Sequence, residues 1–220
     1  QLEGHEEDLQ TARTAAEFVL SELRTPEGEL LRSWRNDQTS GAAYLDDYAY
    51  LAAALIALHD ATGDERWLNE ADAITQKQVD LFYDEELSTF FYTAHDHEKL
   101  MARTTTVFDS VSESGNSVTV RNLLELSERR SNSKYAEIAE AVLTRFSRTL
   151  QETPAACSGL AVALNDWLKL QPEATGQLVQ PKRYVYTSLQ QTSSKADETA
   201  LPAEEDDDSQ ITFKPFFPEP

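Results

Sequence analysis

The chain has 220 residues, which at about 100–200 residues per domain allows one sizeable domain, or one domain with a tail. It carries 19 Lys and Arg residues against 39 Asp and Glu residues, a formal net charge of −20. An acidic surface of that size repels phosphate backbones and anionic lipid headgroups, so we expect neither nucleic acid nor a membrane surface as a partner. The longest apolar stretch, about residues 49–58, falls short of the ~20 residues that span a bilayer.

Cysteine usage narrows the chemistry further. Cys157 is the only cysteine in the sequence, which excludes an intrachain disulfide and any Cys-x-x-Cys redox or zinc site. A reducing compartment fits this count, and we predict a cytoplasmic location. The chain begins at Gln1 without a methionine and without a basic-then-apolar leader, which suggests a processed form or a fragment.

Helical periodicity dominates residues 6–170. Apolar residues recur there at three- and four-residue steps with few Gly or Pro interruptions, which predicts an all-α domain. The second helix is apolar almost all the way round, which predicts an inner helix. Gly63 and Asp64 suit a left-handed stop for that helix and an N-cap for the next one. The six long helices are predicted over residues 8–23, 42–61, 65–82, 116–130, 133–150 and 155–170, with an extended segment at 89–93.

An internal repeat appears when the chain is shifted by 68 residues. Such self-similarity predicts stacked helical hairpins, none of which can bury its own face alone. The alternative is that any two amphipathic helix pairs align this well. The matched residues are Leu55, Leu58, Trp67, Ala71 and Phe82, which fall on Leu123, Leu126, Tyr135, Ala139 and Leu150.

Composition changes after residue 170. Residues 171–220 hold four Lys and Arg residues against nine Asp and Glu residues, with an acidic block at 204–208 and scattered prolines. This pattern predicts an acidic, proline-containing tail that is partly disordered. Two apolar islands, at 183–186 and 211–217, either dock on the domain or stay free.

Three segments carry a family resemblance. They are Asp47-Tyr48-Ala49, then 61–64 with Trp67-Leu68, and then Ser114-Gly115-Asn116-Ser117-Val118 leading into 122–124. In these segments the chain resembles the spermatogenesis-associated protein 20 type family, thioredoxin-domain proteins with a helical domain like that of N-acylglucosamine 2-epimerase.

The resemblance covers roughly residues 1–170 and implies an (α/α) toroid of the six-hairpin glycosidase type, with inner helices around a cavity. A complete toroid has about twelve helices, so six imply a partial one, and the remaining helices are expected upstream or in another chain. The family's thioredoxin-like domain is likewise expected upstream or as a partner. The chain departs from the family at Ser88-Thr89, where relatives carry Gly-Gly, and at Ser112-Glu113, where the family favours proline. These departures put the loop geometry beside the cavity in doubt.

Carboxylates at the start of the second helix form the first candidate site. Asp46 and Asp47 lie where the helix dipole stabilises negative charge. One interpretation makes Asp47 a cavity carboxylate, with Tyr48 beside it to orient a hydroxyl-rich ligand. The other makes these residues an N-terminal cap and a packed ring.

The helix start at residues 114–117 is the second candidate. Ser114, Gly115, Asn116 and Ser117 offer free backbone N–H groups and two hydroxyls, which suit an anion or a sugar oxygen. Ordinary capping by Ser114 or Asn116, with Gly115 permitting the turn, is the alternative.

Two charged residues flank the preceding loop. We predict that Arg103 and Asp109 form an ion pair that fixes this loop, and Arg103 is also a candidate ligand-binding residue. Alternatively, Asp109 is the second carboxylate of a glycosidase pair with Asp47, which would need a carboxyl separation of about 5–5.5 Å for retention or ~6.5–9.5 Å for inversion.

The histidines suit neither epimerisation nor metal binding. Epimerisation needs a group that returns a proton near working pH, and His5, His59, His95 and His97 occupy poor positions for it. The last two could face the same side of an extended segment, but no third ligand is evident, so no metal and no cofactor are predicted. Cys157 is interpreted as a small core residue.

These observations lead to one functional hypothesis and two rivals. The first is a toroid segment with a cavity for a carbohydrate or similar small polar ligand, whose catalysis is weak or depends on missing parts. The second is a glycoside hydrolase or sugar epimerase that uses Asp47 and Asp109. The third is a scaffold that presents a thioredoxin-like domain to protein substrates.

Overall fold

The computed structural model describes residues 6–97 and 102–171. The predicted tail beyond residue 171 and His5 lie outside the described residues. Helices dominate the described part of the chain, as the periodicity predicted. They are α1 Glu6–Glu22, α2 Leu45–Thr62, α3 Glu65–Phe82, α4 Gly115–Arg130, α5 Ser133–Arg145, α6 Ser147–Glu152 and α7 Ser158–Leu170.

Two short antiparallel hairpins interrupt the helices. Strands β1 Leu31–Arg35 and β2 Gln38–Ala42 form the first, with Asn36 and Asp37 both at positive φ in the turn. Strands β3 Tyr83–Asp84 and β4 Thr89–Phe90 form the second. The extended segment predicted at 89–93 is therefore confirmed for its first two residues, while the β1–β2 hairpin was not predicted.

The helices form two layers. In the central layer α4 lies between α2 and α7, and in the outer layer α1 and α3 pack against α2 while α5 packs against α4. The central helices are parallel, because α2 and α4 meet both near their first residues and near their last, where Arg129 binds Asp60. Central and outer helices therefore alternate along the chain. This is the arrangement of stacked helical hairpins that the sequence predicted.

The 68-residue repeat is present in the structure. The α2–α3 turn places Gly63 in the left-handed conformation at φ 68°, and the α4–α5 turn places Ser131 there at φ 52°. Asp64 caps α3 by accepting from the Arg66 N–H at 2.9 Å, as predicted. The ten matched residues of the two hairpins are all buried.

Two predicted helices are broken in the structure. The segment 133–150 divides at Phe146, whose φ of −102° and ψ of 11° leave helical geometry, so α5 ends and α6 begins. The segment 155–170 begins with a short 3₁₀ turn at Pro154–Ala156, and α7 follows after Cys157. Apolar periodicity continues through both breaks, which is why the sequence pattern did not reveal them.

The core lies between the two layers. Ala49, Ala52 and Leu55 of α2 have no exposed surface, which confirms the prediction of an inner helix. Cys157 is also fully buried and free, which confirms its interpretation as a core residue. No described helix is long and apolar enough to cross a membrane.

Candidate functional site

The first residues of all three central helices meet at one end of the domain. Asp46 of α2 lies against the first residue of α4, because a Cβ added to Gly115 would fall 2.1 Å from Asp46 Oδ1. Asp109, in the loop before α4, contacts the first residues of both α4 and α7. The β1–β2 hairpin and the loop after β4 lead into this same end, so the irregular parts of the chain are gathered there. Irregular loops held by a rigid scaffold are where binding sites are commonly built.

Asp47 acts as a cap in this structure. Its Oδ2 accepts a hydrogen bond of 2.8 Å from the backbone N–H of Tyr44, the residue before α2. Asp46, its neighbour, is half-buried, and its pKa is raised by this burial and by the adjacent charge of Asp47. Asp46 therefore retains its proton to a higher pH than an aspartate in water does.

Tyr48 belongs to the core rather than to a cavity. Its side chain is 1% exposed and packs edge-on against Phe82, with ring centroids 5.2 Å apart. Its hydroxyl accepts a 2.7 Å hydrogen bond from the Leu30 N–H, and burial raises its pKa to about 12. The geometry therefore contradicts a ligand-orienting role for Tyr48.

The start of α4 is a closed cap. The Ser114 hydroxyl accepts from the Ser117 N–H at 3.2 Å and lies 2.7 Å from the Ser117 hydroxyl. A Cβ on Gly115 would lie 2.1 Å from Asp46 Oδ1 and 3.1 Å from the Leu45 side chain, so a larger residue at this crossing of α2 and α4 would force these side chains to move. All three residues are buried, as the capping interpretation requires.

Asn116 connects α4 to the preceding loops. The side chain is 1% exposed; its Oδ1 accepts from the Phe90 N–H at 3.1 Å, and its Nδ2 donates to the carbonyls of Phe90 and Thr106, both at 3.0 Å. These bonds pair the side chain with β4 as a neighbouring strand would. Asn116 therefore positions the loops of the site and does not face a ligand itself.

The predicted ion pair between Arg103 and Asp109 is wrong. Arg103 lies over the Phe91 ring at 4.2 Å and donates from Nε and Nη2 to the carbonyl of Thr93. Asp109 does not contact Arg103, because it accepts hydrogen bonds from the backbone N–H groups of Ser114 and Gly159, at the starts of α4 and α7. The two residues flank the same loop in the sequence, but in the fold they contact different partners.

Asp109 joins two central helices. Its Oδ1 accepts from the Ser114 N–H at 3.0 Å, and its Oδ2 accepts from the Ser158 hydroxyl and the Gly159 N–H, both at 2.8 Å. Partial burial raises its pKa, but these hydrogen bonds outweigh burial and hold the pKa below its ordinary value. Asp109 is therefore ionised at neutral pH and suited to capping, since a general acid needs the opposite shift.

A flat stack of side chains borders the start of α2. Tyr44 and Tyr92 are stacked with centroids 4.7 Å apart, and the Arg32 guanidinium lies 4.6 Å from the Tyr44 centroid. His97 approaches Tyr44 edge-on at 5.6 Å. Stacking holds this arginine in one orientation.

A groove of about 260 Å³ runs between α2 and α4 and reaches the loop before α4. Its apolar lining comes from Ala53, Ile56 and Ala57 of α2 and from Val118 of α4. Its lining residues are Tyr50, Ala53, Ile56, Ala57, Asp60, Glu113, Val118, Arg121, Asn122 and Glu125.

Polar contacts cross the groove at the end that lies beside the loop before α4. The Tyr50 hydroxyl of α2 donates to the backbone carbonyl of Glu113 at 2.9 Å. Arg121 of α4 donates to Glu113 Oε2 at 3.0 Å and lies 4.0 Å from Asp166 of α7. Side chains from three helices and one loop thus converge, and Tyr50 remains 39% exposed.

Sequence reasoning missed these groove residues. It selected Asp46, Asp47 and the 114–117 turn, which lie at the starts of α2 and α4, and of these residues Asp47 and Ser114 act as caps. One signal was available: Tyr50 and Arg121 are large residues with polar ends beside apolar residues of their helices, and the structure leaves Tyr50 exposed and Arg121 partly exposed. Glu113 had been noted only as a departure from the family pattern.

The described histidines and Cys157 assemble no metal site. His95 Nδ1 lies 3.1 Å from the carbonyl of Leu81, whereas His97 contacts Tyr44, so the two rings serve different neighbours. Across residues 6–97 and 102–171, no cluster of three or more His, Cys, Asp or Glu side chains could hold a metal ion.

Comparison with known proteins relates this geometry to two groups. No protein-family model matches the chain. Spermatogenesis-associated protein 20 of Homo sapiens is 28% identical over 123 residues, which are 56% of this chain and 16% of that protein. An uncharacterized protein of Caenorhabditis elegans is 28% identical over 167 residues, covering 72% of this chain and 22% of that protein. The chain thus matches less than a quarter of the length of these relatives.

A solved structure shows the same fold. It is a possible member of the GH105 family from Klebsiella pneumoniae, with a TM-score of 0.59 and 15% identity. The match covers 79% of this chain and 51% of that chain, as expected of about half a ring of helical hairpins. The helical part of this chain is therefore similar in sequence to the spermatogenesis-associated protein 20 proteins and shares the helical, glycosidase-like toroid fold of that solved structure.

Proposed function

We propose that the groove between α2 and α4 binds a small polar ligand of the carbohydrate type. The observation that carries the proposal is the convergence of Tyr50, Arg121 and Glu113 beside an apolar lining of alanine, isoleucine and valine side chains. Ligand sites commonly combine an apolar surface with a few placed polar groups. A sugar has both C–H and O–H surfaces. The aromatic ring of Tyr50 suits the C–H surface, and the neighbouring polar side chains suit the hydroxyl groups.

Binding without efficient catalysis by this chain alone is the form of the proposal that the geometry favours. Asp47 Oδ2 accepts from the Tyr44 N–H, both carboxylate oxygens of Asp109 accept from backbone N–H groups, and the pKa of Asp109 is lowered. Neither arrangement suits the proton donor of a glycosidase. The hydrolase hypothesis predicts loss of turnover in Asp47→Asn and Asp109→Asn; we expect these variants to change stability instead.

Further parts of the site are proposed to come from other segments. The match to half of the Klebsiella chain supports additional helices around the same cavity, located upstream or in another chain. A thioredoxin-like partner domain, the scaffold role and a cytoplasmic location remain predictions of the sequence.

Calorimetric titration with N-acetylhexosamines and short oligosaccharides tests the proposal. We expect binding by the chain and a loss of at least about ten-fold in affinity, ~1.4 kcal/mol, in Tyr50→Ala and in Arg121→Ala. Arg148→Ala is the matched control, since that exposed arginine pairs only with Glu152 of its own helix within the described residues. Absence of heat across the whole panel, or equal losses in the control, would contradict a sugar groove.

A further inference from the structure

Three oxygen atoms in the groove have no hydrogen-bond partner among the described residues. Asn122 is 4% exposed, and its Nδ2 donates to the carbonyl of Ala49 at 2.8 Å, which fixes the amide and leaves Oδ1 unpaired. Glu113 and Glu125 each use Oε2 in an arginine contact, so Oε1 remains on both. These three oxygens are therefore open to accept hydrogen bonds from a ligand or from solvent.

The donors around the groove are already engaged. The Tyr50 hydroxyl donates to the carbonyl of Glu113, and Arg121 lies between Glu113 and Asp166. At the far end, Arg129 binds both Asp60 and Glu125. The groove therefore presents more acceptor atoms than free donors, and it favours a ligand rich in donors.

The negative charge of the groove also favours a ligand that carries hydrogen-bond donors. Three of the lining residues are carboxylates, Asp60, Glu113 and Glu125, whereas Arg121 is the one cation in the described lining. The whole chain carries a net charge of −20. An acidic sugar or a sugar phosphate would enter against this field, whereas a cation would be attracted by it.

We propose that the ligand of this groove is a protonated amino sugar or a comparable aminated polyol. The inference rests on the proposed function and specifies its substrate class. The ammonium group would pair with the free carboxylate oxygens of Glu113 and Glu125, and a hydroxyl would donate to Asn122 Oδ1. The volume of about 260 Å³ is smaller than the 300–1,000 Å³ of sites for drug-sized ligands, which fits one sugar ring.

Titration of the chain with glucosamine, N-acetylglucosamine and glucuronic acid at pH 6.5 and low salt tests the inference. We expect glucosamine to bind at least about five-fold more tightly than either of the others, because two unit charges 4 Å apart interact by ~1 kcal/mol even in water. The preference should diminish when the ionic strength is raised to about 1 M, where the screening length is roughly 3 Å.

Charge-neutral variants identify the groups responsible. Glu113→Gln and Glu125→Gln keep the side-chain shape and should each reduce the preference for glucosamine, whereas Glu137→Gln, on the exposed side of α5, should not. Equal or tighter binding of N-acetylglucosamine or glucuronic acid would overturn the inference while leaving the sugar groove intact. Failure of all three sugars to bind would overturn both.

Discussion

Replacing Asp109 by alanine removes a carboxylate that joins the first residues of α4 and α7. Cys157, the residue before α7, provides no side-chain cap, so Asp109 performs that task from a distant position in the chain. The Ser114 N–H, the Ser158 hydroxyl and the Gly159 N–H all lose their acceptor. Loss of a helix cap costs about 0.5–2 kcal/mol, and a hydrogen bond to a charged group contributes about 1.5–3 kcal/mol.

Because Asp109 is only partly buried, we expect Asp109→Ala to lower the free energy of unfolding by roughly 1–3 kcal/mol. Each kcal/mol corresponds to about 2–4 °C in a domain of this size, so calorimetry should show a fall in Tm of roughly 2–12 °C. The Asp96→Ala control removes an exposed carboxylate without a hydrogen bond to the described residues, and its Tm should be unchanged.

The pH dependence of this loss is a second readout. The pKa of Asp109 is lower in the folded chain than the ~3.9 of an unfolded aspartate, so the unfolded state binds the proton more readily. Its stabilisation is therefore complete above the unfolded pKa and disappears as pH falls through the folded pKa. The Tm difference between the original chain and Asp109→Ala should be largest near neutral pH and shrink below about pH 4. A difference that is absent at pH 7, or that grows in acid, would refute the capping role.

Three further substitutions test the packing around the site. Gly115→Ala should cost about 1–3 kcal/mol in urea unfolding, because the added Cβ meets Asp46 Oδ1 at 2.1 Å; full stability would contradict the close crossing. Asn116→Ala should speed hydrogen exchange at the Phe90 amide by about ten-fold or more, since that amide loses its acceptor, and unchanged exchange would argue against the bond. Leu123→Ala should cost about 2–5 kcal/mol in thermal unfolding, because Leu123 is fully buried, and a loss below 1 kcal/mol would show that the layers repack.

Much of the fold was predictable because apolar periodicity reports which faces of a helix are buried. The predicted α3 has its observed bounds, residues 65–82, since Gly63 and Asp64 carry strong local stop and start signals. The break at Phe146 was not predictable in the same way, because the apolar residues before and after it follow the same three- and four-residue spacing. The β1–β2 hairpin escaped notice because its strands are largely exposed and therefore lack an alternating apolar pattern.

The helix starts that carry the candidate residues could be predicted from the sequence, but the contacts of those residues could not. The structure brings together the starts of α2 and α4, where Asp47 and the 114–117 turn lie. Their local role as caps could be anticipated from residue type alone, whereas the partners of Asp109 lie 5 and 50 residues away along the chain. Tyr50 and Arg121 become a site only when α2 and α4 lie side by side. Such long-range proximity has no signature in a single sequence.

Backbone chemical-shift mapping of the isotopically labelled chain during a glucosamine titration tests the central claim most directly. We predict saturable shifts for the amides of Tyr50, Ala53, Arg121 and Asn122, which border the groove, and no shifts along the exposed face of α5. An unchanged spectrum at saturating sugar, or shifts confined to surfaces away from α2 and α4, would contradict a ligand groove on the central layer.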